Sequence, residues 1–136
     1  MQLNIVTPDG VVYQNEIDQV TVPTTTGYIT ILPGHIALIS VLQAGEMTIK
    51  HQNSETALAV SGGVAEIKNT GEINILADTA ERSEHIDVAR AEAGRARAEE
   101  LMAQTQAIDE VAFAAALAKM EKELARLHVA KKYRPS

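Results

Sequence analysis

The chain has 136 residues and no cysteine, which excludes a disulfide framework and any metal site with cysteine ligands. Residues 1–80 carry two basic and eight acidic side chains, whereas residues 81–136 carry ten of each, so the net charge of −6 lies in the first part. An acidic first part argues against binding to nucleic acid or anionic lipid. There is no apolar run long enough to span a bilayer and no signal-peptide pattern, so we expect a cytoplasmic protein without direct membrane insertion.

The composition changes near Asp78. Seven of the eight glycines and three of the four prolines precede this residue, and they separate short runs rich in Val, Ile, Thr and Leu. This pattern is typical of strands and turns. The rest of the chain is rich in Ala, Glu, Arg, Lys and Leu, which is typical of helices. We therefore predict a β unit over residues 1–80 and a helical arm over residues 81–136.

Short, evenly spaced β segments fill the first unit. Turn-forming pairs such as Pro33–Gly34 and Gly62–Gly63 separate them. The predicted strands cover residues 3–7, 11–14, 17–22, 28–32, 35–41, 47–51, 56–60, 64–68 and 73–77. Eight to ten strands at this spacing predict an antiparallel sandwich or a flattened barrel with an aliphatic core.

Two helices are predicted in the second unit. Asp87 and Asp109 are good N-caps, so we expect one helix from Asp87 to about Ala103 and a second from Asp109. The second helix carries an apolar seam at three- and four-residue spacing, namely Phe113, Leu117, Met120, Leu124 and Leu127. The short connection predicts an antiparallel hairpin, although the seam could equally face a helix of another protein.

The hairpin would bring two sets of charged side chains together. Asp87 and Arg90 lie near the positive N-terminal end of the first helix. Lys122 and Arg126 lie opposite them on the second helix, and Gly94 leaves space nearby. These charges fit either a salt-bridge network with neighbouring glutamates or an anion or nucleotide site. The sequence contains no phosphate-binding loop, catalytic constellation or histidine grouping at metal-ligand spacing, so we predict no catalytic residue and no metal site.

The chain resembles a known family, the epsilon subunits of bacterial F-type ATP synthase, whose mitochondrial counterpart is the delta subunit. The matching segments occur in the family's order along the whole chain: VTPDG at residues 6–10, ILPGH at 31–35, SGG at 61–63 followed by Val64 and Glu66, ILA at 75–77 and IDVARA at 86–91. The resemblance implies a ten-stranded antiparallel β-sandwich followed by an antiparallel two-helix hairpin.

The resemblance also implies a place and a role. Such a subunit lies on the rotating central stalk at the cytoplasmic face of the cell membrane, as a peripheral protein, and its sandwich binds the gamma subunit and the ring of c subunits. It couples proton-driven rotation to ATP synthesis and is not itself an enzyme. Its helical arm lies folded on the sandwich or extends along gamma to the alpha and beta subunits of the head, where in many members it inhibits ATP hydrolysis.

For nucleotide binding, the resemblance implies a site on the arm. The family's pattern I/L-D-x-x-R-A is met by Ile86, Asp87, Arg90 and Ala91. Glu81 matches an upstream acid and Arg126 matches one of two basic residues on the second helix. Lys122 stands where better-known binders have arginine, so the charge is kept but the bidentate fork is lost. The resemblance implies regulatory ATP but no required cofactor; the alternative is a structural or inhibitory arm without an ATP site.

Three residues are the candidates for partner binding. Tyr28 stands where some family members carry an acid that faces the c-ring, and Leu32 and His35 flank the turn made by Pro33 and Gly34. At the C-terminus, Lys131, Lys132 and Arg134 form a basic end suited to acidic surfaces of the head. A free-standing β-sandwich enzyme or binding module is the alternative from another class, and the missing catalytic constellation disfavours it.

Overall fold

The structure is a computed structural model that describes residues 1–133. The strands are β1 (Gln2–Thr7), β2 (Gly10–Glu16), β3 (Gln19–Thr24), β4 (Gly27–Ile31), β5 (Leu38–His51), β6 (Ser54–Ile67), β7 (Glu72–Ala77) and β8 (Ala80–Arg82). A short 3₁₀ turn at Ser83–His85 leads into the helices α1 (Val88–Thr105) and α2 (Glu110–Tyr133). A folded sheet is thus followed by two helices, as the sequence predicts.

The sheet folds over itself into two layers around an aliphatic core. Its strand order is β2-β1-β7-β6-β5-β3-β4, and β8 pairs with β6. The two long strands, β5 and β6, run through both layers, because residues 38–42 pair with residues 63–67 and residues 44–51 pair with residues 54–61. Alternate side chains point inward; the largest of those fully buried include Leu3, Ile5, Val20, Ile31, Met47, Ile49, Leu58, Ile73 and Ile75.

The ten-stranded, wholly antiparallel sandwich that the resemblance implies is wrong in two respects, although eight strands lie within the range predicted from the strand spacing. Residues 1–133 contain eight strands instead of ten, because β5 continues through the break predicted between residues 41 and 47, and β6 continues through Gly62 and Gly63. At Gly63, φ is +129° and a Cβ atom would lie 2.0 Å from the Leu76 carbonyl oxygen, so the bend requires glycine. The sheet is also not wholly antiparallel, since β1 and β7 pair in parallel.

The predicted helix starts are confirmed by their caps. The Asp87 side chain accepts a hydrogen bond from the Arg90 backbone N–H at 3.1 Å. The Asp109 side chain accepts from the backbone N–H groups of Val111 and Ala112, each at 3.1 Å. These bonds satisfy donors that the helix itself leaves unpaired. The first helix runs two residues past the expected Ala103, to Thr105.

The two helices form an antiparallel hairpin that lies against the sandwich. Val129 and Ala130 of α2 pack on Ala57 and Ala59, the outward-facing side chains of β6, together with Ile86. The predicted apolar seam is only partly covered, since Leu127 is buried but Leu124 is 44% exposed. Within residues 1–133, neither helix has the length and apolar character needed to cross a bilayer.

Candidate functional site

A cleft of about 320 Å³ opens where the hairpin meets the sandwich. The turn between β1 and β2, the connection between β7 and β8, and both helices contribute to it. Its lining residues are Thr7, Asp9, Thr79, Ala80, Glu81, Arg90, Lys122 and Arg126. The structure thus brings together Glu81, Arg90, Lys122 and Arg126, four of the seven residues predicted to bind nucleotide.

The other three predicted residues shape the site without lining it. Ile86 is 2% exposed and packs in the cluster that joins α2 to β6. Asp87 is exposed and caps α1. Ala91 is fully buried on the side of α1 that carries Gly94. In the segment IDVARA, therefore, Ile86 anchors the start of the helix, Asp87 caps it, and Arg90 alone lines the cleft.

Arg126 is the centre of an ion-pair network. Its Nε and Nη2 atoms donate to the two carboxylate oxygens of Glu81 at 2.8 and 3.4 Å, and its Nη1 donates to Glu123 at 2.9 Å. Burial lowers the pKa of the Arg126 guanidinium, but the two carboxylates outweigh it and raise that pKa. The salt-bridge alternative is present here, although Asp87 and Arg90 are not part of it among the described residues.

Glu123 is the member of this network that the sequence prediction missed. Its side chain fills the gap at Gly94, where an added Cβ would lie 2.9 Å from the Glu123 Cδ and 3.1 Å from its Oε2. The expected open space beside Gly94 is therefore occupied. The contact between Glu123 and Gly94 places the helices about one turn away from the predicted register, in which Lys122 lies opposite Arg90.

Two cations in the cleft remain available to a ligand. Within the described part of the chain, the side chains of Arg90 and Lys122 have no hydrogen-bond or ion-pair partner. An incoming polyanion would meet these two groups first. The Arg126 fork is already occupied by Glu81, so an anion must share it or displace that carboxylate.

The predicted partner-binding residues do not share one site. Leu32 and His35 line a cleft of about 520 Å³ at the base of the sandwich. There the His35 backbone N–H donates to the Leu32 carbonyl at 3.1 Å, which closes the turn. Tyr28 lies at the opposite end of β4, and its hydroxyl accepts from the Glu46 backbone N–H at 3.4 Å. No grouping of His, Asp and Glu suited to a metal ion occurs within residues 1–133.

A row of exposed apolar side chains crosses the outer face of the sheet. Val41 pairs with Val64, Val64 with Leu76, Leu76 with Val6, and Val6 with Val11, so five strands contribute to one row. Val11 is 64% exposed, Val41 54%, Val64 39% and Leu76 60%. An exposed apolar row of this length is typical of a protein-binding surface. This row could not be predicted from local sequence patterns, because the register of distant strands creates it.

Comparisons with known proteins agree with this architecture. The profile of the family described as ATP synthase, Delta/Epsilon chain, beta-sandwich domain matches residues 1–83. The chain belongs to this family. The ATP synthase epsilon chain of Chloroflexus aggregans is 40% identical over 130 residues, which cover 96% of this chain and 91% of that protein. The epsilon chain of Desulforamulus reducens is 46% identical over 99 residues, which cover 73% of this chain and 74% of that protein.

A solved structure shares the fold over nearly the whole chain. It is a chain from the cryo-EM structure of the Euglena gracilis mitochondrial ATP synthase, in its OSCP/F1/c-ring part. The TM-score is 0.78 at 22% sequence identity, with 94% of this chain and 79% of that chain covered. At this identity the likeness shows the fold alone, whereas the bacterial relatives confirm the family that the sequence motifs predict.

Proposed function

We propose that this chain is the epsilon subunit of the central stalk of an F-type ATP synthase. The sandwich, residues 1–80, binds the gamma subunit and the c-ring and transmits proton-driven rotation toward the catalytic head. The arm, residues 81–136, regulates ATP hydrolysis by the alpha and beta subunits. The subunit performs no catalysis itself, and it works as a peripheral protein on the cytoplasmic face of the cell membrane.

One observation carries this proposal: the hairpin is attached to the sandwich by far less apolar packing than holds the sandwich together. The sandwich core contains 16 buried residues, whereas the cluster beneath α2 contains five. Burial of apolar surface stabilises each unit roughly in proportion to its area. The arm can therefore leave while the sandwich stays folded, as a regulatory arm must.

The two partner surfaces are assigned by their chemistry. The apolar row from Val41 to Val11 fits a stable protein interface and is our candidate for gamma. The base of the sandwich, with Leu32, His35 and the exposed loop residues between β6 and β7, fits the polar surface of a rotating ring. Tyr28 lies beside α2, which favours a role in the arm contact for this residue.

Removal of the arm in the assembled enzyme tests the regulatory role. We expect a chain that ends at Ile86 to raise ATPase activity several-fold and to leave proton-driven synthesis largely unchanged, because the sandwich contacts with gamma and the ring remain. Activity is measured in membrane vesicles, with full-length chain as the control. Unchanged ATPase activity would contradict an inhibitory arm, and lost synthesis would show that the arm also serves coupling.

We propose further that the cleft binds ATP and thereby holds the arm in its folded form. Arg90 and Lys122 are brought together only when the hairpin is closed and docked, so a ligand that needs both favours that state. At a hundredfold excess over its dissociation constant, the ligand would stabilise the folded form by about 2.7 kcal/mol. The alternative is a salt-bridge network that binds no ligand. It is favoured by the Arg126 guanidinium, which is already paired with carboxylates of the protein.

Calorimetry on the isolated chain separates these two alternatives. We expect ATP to bind, Arg90→Ala to weaken binding by about tenfold or more through loss of a charge-assisted contact, and Lys122→Arg to strengthen it by supplying a fork. Arg97→Ala is the matched control, since Arg97 is an exposed arginine on the same helix that does not line the cleft. An absence of binding at millimolar ATP, with and without Mg²⁺, would leave only the salt-bridge network.

A further inference from the structure

Glu46 on β5 is a buried carboxylate outside the nucleotide cleft. It is 7% exposed, because it lies on a strand that faces the helical arm. The Lys132 ammonium donates to its two oxygens at 3.2 and 3.3 Å, and the Tyr133 hydroxyl donates to Oε1. Thr48 donates to Oε1 at 3.1 Å, and His128 Nε2 lies 3.4 Å from Oε2. Most of these partners come from the last two turns of α2.

These contacts exist only while the arm is docked. If α2 leaves the sandwich, Lys132, Tyr133 and His128 leave with it, and Glu46 keeps Thr48 and solvent as partners. Hydrogen bonds to charged groups stabilise a structure more than neutral ones do. Because one state makes them and the other does not, they shift the equilibrium of the arm toward the docked state.

The charge state of this cluster fits the same role. Burial raises the pKa of the Glu46 carboxyl, but the bonds from Tyr133, Lys132 and Thr48 outweigh it and leave that pKa below its ordinary value of 4.5. Burial and the bond to Glu46 raise the pKa of the Tyr133 phenol. The contribution of the ionised Glu46 carboxylate to docking is therefore complete above pH 4.5 and is lost as the pH falls through the lowered pKa.

We propose that Glu46 is the docking point that holds the C-terminal end of α2 on the sandwich. This inference does not depend on the nucleotide cleft. It gives the basic end of the arm a second partner, because the Lys132 ammonium that was predicted to meet acidic surfaces of the head is held by Glu46 in the folded form. Docking and a head contact then compete for the same side chain. Arg134, the third member of that basic end, lies outside the described residues.

Hydrogen–deuterium exchange of the isolated chain without nucleotide tests the proposal. We expect Glu46→Gln to speed exchange in residues 124–133 by about tenfold, which corresponds to about 1.4 kcal/mol, while exchange in the core of β5 and β6 stays unchanged. Lys132→Gln should have a similar effect from the other side of the contact. The double variant should exchange little faster than either single one, because both remove the same interaction.

Two matched variants serve as controls. Glu55→Gln removes an exposed carboxylate from the adjacent strand β6. Lys131→Gln makes the same charge change one residue from Lys132, on a side chain that is 70% exposed and whose ion pair with Glu92 of α1, at 3.9 Å, is too long and exposed to contribute much. Both should leave exchange in residues 124–133 unchanged. Equal effects of Lys131→Gln and Lys132→Gln, or no effect of Glu46→Gln, would overturn the proposal; neither result depends on whether ATP binds.

Discussion

Replacement of Gly63 by alanine is expected to destabilise the sandwich by about 4 kcal/mol or more, among the largest effects of a single substitution. The new Cβ would lie 2.0 Å from the Leu76 carbonyl oxygen and 2.8 Å from the Ala77 Cα. Both obstacles are backbone atoms of β7, so no side-chain rotation can relieve the clash. Either β7 moves away from β6, or the bend in β6 opens; both disturb the crossing between the layers. Urea denaturation of the isolated chain, followed by a β-sheet signal, measures the loss.

Gly10 offers a matched control for this substitution. Its φ of +125° is close to the +129° of Gly63, but a Cβ at Gly10 would meet no atom within 4 Å. Gly10→Ala therefore introduces the backbone strain without the clash. This strain alone is expected to lower the stability of the sandwich by about 1–3 kcal/mol. If the two variants are destabilised equally, the close approach of β6 and β7 does not determine the fold at Gly63.

Gly63 also shows why part of the fold could not be predicted from the sequence. From the sequence alone, Gly62 and Gly63 predict the end of a strand, because paired glycines usually form turns. Whether the chain turns back or continues after such a bend depends on its cross-strand partners. Here Leu42 pairs with Gly63 and Ala44 with Ser61, so β6 continues. Those partners are about twenty residues away along the chain, beyond the range of a local pattern.

The helices were predictable because their signals are local. Each begins at an aspartate whose carboxylate accepts from backbone N–H groups two or three residues later. The site was predictable only in part. The hairpin register brings Arg90, Lys122 and Arg126 together, whereas Thr7 and Asp9 enter the cleft from the opposite end of the sequence. Glu46 carried no signal at all, since Lys132 and Tyr133, its hydrogen-bond partners on α2, are 86 and 87 residues away.

The ion pair between Arg126 and Glu123 leads to the second large effect. Glu123 is 4% exposed and lies against Gly94, so it is held between the two helices. Arg126 is its one ion-pair partner among residues 1–133. A protein with a buried, unpaired carboxylate is far less stable than one with the intact ion pair or with a well-packed neutral group in the same place. The stability of the docked hairpin therefore depends on whether the charge of Glu123 is matched.

Arg126→Met is accordingly expected to destabilise the docked hairpin by about 3–5 kcal/mol, because it leaves Glu123 buried and unmatched. Adding Glu123→Gln to Arg126→Met should restore at least half of the loss, since the amide fills the same space at Gly94 without a charge. Urea denaturation followed by helical circular dichroism measures both, and Arg97→Met, an exposed arginine on α1, is the control. If the double variant is less stable than Arg126→Met, the buried charge is not what destabilises the hairpin. The same reasoning makes Arg126 a poor probe of nucleotide binding: its loss opens the cleft whether or not ATP binds there, whereas the Arg90 side chain has no partner within residues 1–133 to leave behind.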